Sequence, residues 1–242
     1  MSENFGIIEK NIADIFEKMK PYPGACLMAA IKTRSDEEVR KAYDCGVRYF
    51  GENRVQELLS HYECIKSLEG ARLHMIGTLQ TNKVKYIIDK VDMIESLSSL
   101  SLAKEIEKRA AKCGVEMPVL IEVNIGREAQ KDGVMPEELS DFLASLKEFT
   151  RVKPKGLMTI APVMENEKDY APYFEEMVRL RDSVFKKHFP DIPHPLLSMG
   201  MSTSFSEALS HGSDFVRIGT GIFGPRHYPT KTDAPEEKFQ KI

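Results

Sequence analysis

The chain reads as a single (β/α)8 barrel, a TIM barrel, with an extra helix at its N-terminus. Three observations predict it: eight short apolar runs bounded by turn signals, helical patterns alternating with those runs, and a length of 242 residues, which such a barrel commonly fills as one domain. An open doubly wound sheet is the structural alternative.

The N-terminal stretch "MSENFGIIEKNIADIFEKMK" spaces its apolar residues at i, i+3 and i+4, which predicts an amphipathic helix. Its acidic residues set it apart from the apolar region of a signal peptide. "PYPG", Pro21 to Gly24, stops that helix, and "ACLMAAI" at 25–31 supplies a continuous apolar run, the pattern of a strand buried on both faces. Ser35 with Glu38 three residues later forms a capping box and opens a helix that runs to Gly46. Seven more strands are expected at 47–50, 72–76, 93–96, 119–123, 156–160, 195–199 and 215–218. Helical patterns lie between them at 55–68, 82–89, 100–113, 136–149, 170–189 and 205–211. After the eighth strand too little chain remains for a packed eighth helix, so the N-terminal helix is expected to cover that part of the wall. The barrel is expected to fill 1–228, and "PTKTDAPEEKFQKI" at 229–242 reads as a solvated tail.

Composition narrows the function classes. A net charge of −3 and a pI near 6.1 offer no global attraction to nucleic acid or to an anionic membrane surface. No window has the length of a transmembrane helix. Cys26, Cys45, Cys64 and Cys113 are scattered and form no CxxC pair, so no metal site or redox motif is indicated. Reduced thiols in a cytoplasmic protein are the expectation.

In a barrel of this kind all strands point their C-terminal ends at one mouth, and phosphate commonly sits on the loops after strands seven and eight. "SMGMSTSF" at 198–205 follows strand seven, and "GTGIFG" at 219–224 follows strand eight. Ser202, Thr203 and Ser204 offer hydroxyls and the first amides of the next helix. Gly219, Thr220 and Gly221 let backbone amides approach an anion. Either loop alone is as well explained by a helix cap or a plain turn; two of them at the two expected positions favour a phosphate cradle.

Closure of the barrel puts strand eight beside strand one, which ends in "AAIKTR" and leaves Lys32 at the mouth. A lysine there is either a solvated exit charge or an amine desolvated enough to attack an aldehyde. Beside a phosphate cradle the second reading is favoured, and phosphate at one end with an aldehyde at the other describes pyridoxal 5′-phosphate (PLP). A Schiff-base aldolase without cofactor fits the cradle and lysine alone.

"FGENRVQE" at 50–57, "HMIGTLQTNKVK" at 74–85, "KPKGLMTI" at 153–160, "LSMGMS" at 197–202 and "VRIGTGIFGPR" at 216–226 resemble, in this order, the YggS-type PLP homeostasis proteins, relatives of the alanine racemase barrel domain. The resemblance runs from about Ala25 to Tyr228. It implies a single barrel that holds PLP as an internal aldimine, with Lys32 as the Schiff-base lysine, Asn53 lining the ring, and Arg217 facing the pyridine nitrogen. Ser202, Thr203, Gly219 and Thr220 fall in the phosphate loops of that pattern. The chain departs from it at Ile31, where the family usually has Ser, at Leu73, where it has Trp, and at Ser204, where it has Asp.

The resemblance and the chemistry together imply a non-catalytic PLP carrier that serves intracellular vitamin B6 homeostasis and hands PLP to apo-enzymes. An arginine offers only donors, so at the pyridine nitrogen it favours the unprotonated form and a weak electron sink. The second acid/base that a racemase needs has no candidate, and the racemase-type second domain is absent, so a monomer is expected. A small PLP-dependent racemase or lyase is the alternative. His74 reads as a satisfied core histidine, and Lys83 and Lys85 as a surface pair that a phosphorylated ligand could also use.

Overall fold

Why the apolar runs become strands of one closed sheet is visible in their alternation. The computed structural model of the chain describes residues 2–225. Eight parallel strands hydrogen-bond in sequence order and close, with β8 (Phe215–Ile218) paired to β1 (Cys26–Ala30). Between them lie β2 (Tyr49–Glu52), β3 (Arg72–Met75), β4 (Met93–Leu97), β5 (Met117–Glu122), β6 (Val152–Met158) and β7 (Leu196–Ser198). In β1, Leu27 and Ala29 face the surrounding helices, whereas Met28 packs inward with Ile76 and Phe215. Both faces are buried, which is why these strands read as unbroken apolar runs.

The helices are α1 (Ser2–Met19), α2 (Asp36–Asp44), α3 (Val55–Lys66), α4 (Leu100–Cys113), α5 (Leu139–Leu146) and α6 (Ala171–Leu180). A π-helical turn at Arg181–Phe185 continues α6 into α7 (Lys186–His188), and α8 (Phe205–Ser210) and α9 (Thr220–Phe223) complete the set. The capping box expected at Ser35 is present, with Ser35 Oγ accepting from Glu38 N and Glu38 Oε2 accepting from Ser35 N. Ile8, Ile12, Ile15 and Met19 of α1 are buried, and α1 packs against α2, α8 and α9. It covers the wall between the last and first strands, as expected. The four-residue α9 is too short to do so alone.

Several boundaries differ from expectation. β2 sits two residues later than 47–50, because Gly46, at φ +99°, and the two residues after it complete the turn out of α2. The expected helix at 82–89 is a tight 3₁₀ segment at Thr81–Tyr86 with no side-chain cap. β6 begins at Val152, since Lys153 and Pro154 pair with β5 despite their loop-like composition, and Lys155 sits at a register shift before Gly156 resumes the pairing. The tail at 229–242 lies outside the described residues. No helix among the described residues is long and apolar enough to cross a membrane.

Candidate functional site at the barrel mouth

Lys32 follows β1 in phase with its inward residues Met28 and Ala30 and is half-buried. Ile31 N donates to Gly51 O at 3.0 Å, and Arg34 N turns back to Ile31 O at 3.0 Å, so Lys32 and Thr33 form the tip of a tight turn. Thr33 stands at φ +63°, a left-handed conformation that costs a β-branched residue about 1–3 kcal/mol. Its amide donates to Glu57 Oε2 at 2.9 Å, which helps hold that geometry.

Behind the turn a buried clasp joins three strand ends. Arg34 donates through Nη2 to Gly224 O at 2.9 Å, and its guanidinium lies 5.2 Å over the Phe223 ring. Arg34 O in turn faces His61 Nε2 at 2.8 Å, and His61 Nδ1 meets Glu52 Oε1 at 2.7 Å. Glu52 Oε2 accepts from Asn53 N at 3.1 Å. A carbonyl oxygen can only accept, so His61 must donate from Nε2, and one further proton is shared between Nδ1 and the carboxyl. Burial pushes Glu52 above the usual carboxylate range against the pull of His61. The turn carrying Lys32 is thereby tied both to the end of α9 and to Asn53.

The two glycine- and hydroxyl-rich loops meet across the β7–β8 edge. Ser202 Oγ accepts from Gly221 N at 3.1 Å and from Thr220 Oγ1 at 3.1 Å. With both acceptor positions filled, the Ser202 hydroxyl keeps its own proton for an outside acceptor. Among the described residues the amides of Ser202 and Thr203 donate to no protein group. Thr203 is exposed beside them. One expectation needs correction. The first amides of α8 are not presented to the mouth, because Glu167 Oε1 accepts from Ser206 N at 3.0 Å and Glu207 N at 3.3 Å. Gly219 is also closely packed: a Cβ there would stand 3.3 Å from Ala30 O, pressing on the strand that ends before Lys32.

Below this mouth the barrel interior is polar. Arg217, 4% exposed, donates from Nη1 to Ser198 Oγ at 2.7 Å and from Nη2 to Thr159 O at 2.7 Å. Ser198 Oγ donates to Glu95 Oε2 at 2.6 Å, and Glu95 Oε1 meets His74 Nδ1 at 2.7 Å. Burial alone would raise Glu95, but the His74 bond, the Arg217 charge and the Ser198 bond hold it below the usual carboxylate range. Arg217 is lowered by the same burial, against Glu95 and Glu122. Glu122 on β5 is 7% exposed with Oε2 unpaired, and burial pushes its carboxyl up to about 7.

Structure thus brings Lys32, Asn53, Ser202, Thr203, Gly219 and Thr220 to one mouth, with Arg217 one strand alternation beneath it. His74 is buried, as expected, and is bonded to Glu95 through Nδ1. Lys83 and Lys85 lie over the Tyr86 ring, 5.8 and 4.8 Å from its centroid. Sequence reasoning missed Arg34, Glu52, His61, Glu95, Glu122 and Ser198. For the acidic residues a signal existed: a carboxylate inside an otherwise apolar strand, as in "MIESL" and "MPVLIE", must be paired or functional.

The residues present fit PLP. Asn53 Oδ1 is buried without a partner, and so is Glu122 Oε2, each an orphan that costs roughly 1–3 kcal/mol unless something completes it. The Ser202 hydroxyl and neighbouring amides are donors in search of an acceptor.

Fold and site together define a barrel of the alanine racemase type. Residues 4–227 match the family described as alanine racemase, N-terminal domain. An alanine racemase from Corynebacterium glutamicum shares the fold, with a TM-score of 0.70 and 15% identity over 90% of this chain and 60% of that one. The pyridoxal phosphate homeostasis protein of Aquifex aeolicus is 48% identical over 204 residues, 84% of this chain and 88% of that one. Its Escherichia coli counterpart is 32% identical over 93% of this chain and 99% of its own. PipY of Synechococcus elongatus, solved with PLP bound, has a TM-score of 0.81 and 28% identity over 90% of this chain and 100% of that one. The chain belongs to the alanine racemase N-terminal domain family, among its pyridoxal phosphate homeostasis proteins.

Proposed function

We propose that this chain is a PLP-binding protein of vitamin B6 homeostasis, a non-catalytic carrier that acts in the cytoplasm as a monomer and delivers PLP to apo-enzymes. The observation that carries the reading is the junction of the two loops at Ser202, set across the β8–β1 seam from the Lys32 turn. The names of the curated relatives and the PLP-bound PipY structure support it.

When bound, the cofactor supplies an aldehyde carbon that accepts a primary amine and a pyridine ring that accepts electrons. Lys32 is the amine. Ser202, Thr203, Gly219 and Thr220 would hold the phosphate through hydroxyl and backbone donors, and Asn53 would border the ring. Arg217, with two of its five N–H donors committed, would offer a remaining donor to the ring nitrogen and would keep it unprotonated. Glu95 and Glu122 keep that guanidinium charged. A weakened electron sink favours holding over chemistry.

Borohydride reduction of the PLP-loaded protein followed by peptide mapping tests the assignment. The pyridoxyl group is expected on the peptide containing Lys32; label on Lys83 or Lys153 overturns it. The absence of a yellow species would instead favour an aldolase. A small racemase or lyase is the second reading, favoured by Glu122, a buried group that exchanges a proton near neutrality. Rapid α-proton exchange of alanine in deuterated water, with inversion, would promote it.

A further inference from the structure

At the end of the barrel opposite the mouth, the first residues of six strands enclose a cavity of about 850 Å³, within the range of small-molecule sites. Its lining is mostly aromatic, aliphatic and sulfur-bearing: Cys26, Tyr49, His74, Met93, Leu196 and Phe215. Three of these rings meet edge to face, Tyr49 to His74 at 5.6 Å, Tyr49 to Phe215 at 5.0 Å and His74 to Phe215 at 5.6 Å. Such rings and sulfur atoms favour a flat aromatic occupant.

The charged groups of the rim are paired. Arg72 pairs with Asp92 at 2.8 Å and His194 with Asp214 at 2.5 Å. The second oxygen of each aspartate is also used, accepting from Leu73 N and Leu197 N respectively. No unpaired charge on this rim calls for an ionic ligand.

One polar atom on the wall is unsatisfied. Glu95 is held as a carboxylate and can only accept, so His74 Nδ1 carries the proton that joins them. The other ring nitrogen, Nε2, has no partner among the described residues and is open to a hydrogen bond with a ligand. His74 is 2% exposed and lines the cavity.

We infer that this cavity is a second ligand site, distinct from the mouth, for a small neutral aromatic molecule carrying one O–H or N–H donor, of the phenol class. The donor bonds His74 Nε2 and the ring packs among Tyr49, Phe215 and Met93. The site does not depend on PLP.

Cys26 provides the readout, because it is half-buried in this wall while Cys113 is exposed elsewhere. In cofactor-free protein, 4-methylphenol should slow iodoacetamide alkylation of Cys26 by about tenfold, as expected when a pocket buries most of its ligand. Cys113, mapped in the same digest, should be unchanged. Toluene has the same ring without the donor, so it should need about 10-fold higher concentration for equal protection. Leu196→Trp should crowd the place of the ring among Tyr49, Met93 and Phe215 and weaken protection. No protection of Cys26, equal protection by toluene, or undiminished protection in a folded Leu196→Trp protein would each overturn the inference. If that variant does not fold, the comparison of the two probes on the unaltered chain decides.

Discussion

Replacing Glu122 by Gln should change how stability depends on pH, with a sign the structure dictates. The carboxyl lies inside the barrel on β5, where burial raises it, Asp132 raises it further and Arg217 on β8 opposes them, leaving it at about 7 instead of 4.5. Between those values the folded protein keeps a proton that the unfolded chain has released, so stability falls as pH rises. At 1.36 kcal/mol per pH unit the interval amounts to about 3 kcal/mol. Gln is a neutral isostere and does not incur it. Urea unfolding of the cofactor-free proteins from pH 4.5 to 8 should therefore show equal stability at the acid end. Above pH 7 the variant should lead by about 3 kcal/mol. All other titrating groups are common to both chains, so the difference isolates Glu122. Parallel curves would refute the assignment of a buried, late-ionising carboxyl.

Four further outcomes follow from the site. Ser202→Ala should weaken PLP binding about tenfold or more through loss of a charged hydrogen bond while leaving pyridoxal binding unchanged; equal losses measured by spectroscopic titration would remove Ser202 from the phosphate site. Gly219→Val should weaken PLP binding more than pyridoxal binding and also lower the melting temperature, since the added branch presses on the end of β1 at Ala30; equal losses for the two ligands would remove Gly219 from the phosphate site. Arg217→Met should cost about 3–5 kcal/mol in urea unfolding because Glu95 loses its buried cation, and a cost below about 1 kcal/mol would contradict that role. His61→Leu should destabilise by about 3 kcal/mol, with Glu52→Leu added to it restoring part of the loss; an additive double variant would show that the pair is not coupled.

The buried network also changes which experiment suits Arg217. From the sequence, Arg217→Glu looks like a clean way to permit protonation of the ring nitrogen. In the structure it would place a third carboxylate beside Glu95 and Glu122 with no cation among them, so loss of folding would mask any chemistry.

Local pattern by itself determined the barrel. Apolar runs of strand length, helical patterns between them and a length of 242 residues leave few other ways to bury both faces of every strand. It also determined the mouth, because a parallel barrel sends every strand end the same way, so "AAIKTR", "SMGMSTSF" and "GTGIFG" had to converge. Strand ends were less well placed, as at β2 and β6, where glycine, proline and lysine read as loop although backbone pairing outweighed composition. Only the tertiary structure decided what stands beside what inside the barrel. That Ser202 receives Gly221, that His61 bridges Glu52 and Arg34, and that Glu95 joins His74 to Ser198 and Arg217 depend on contacts between residues far apart in the chain. The physical reason is that hydrophobic periodicity reports which face of an element is buried. The partner of a buried polar group is set by strand register and closure, which no local window contains.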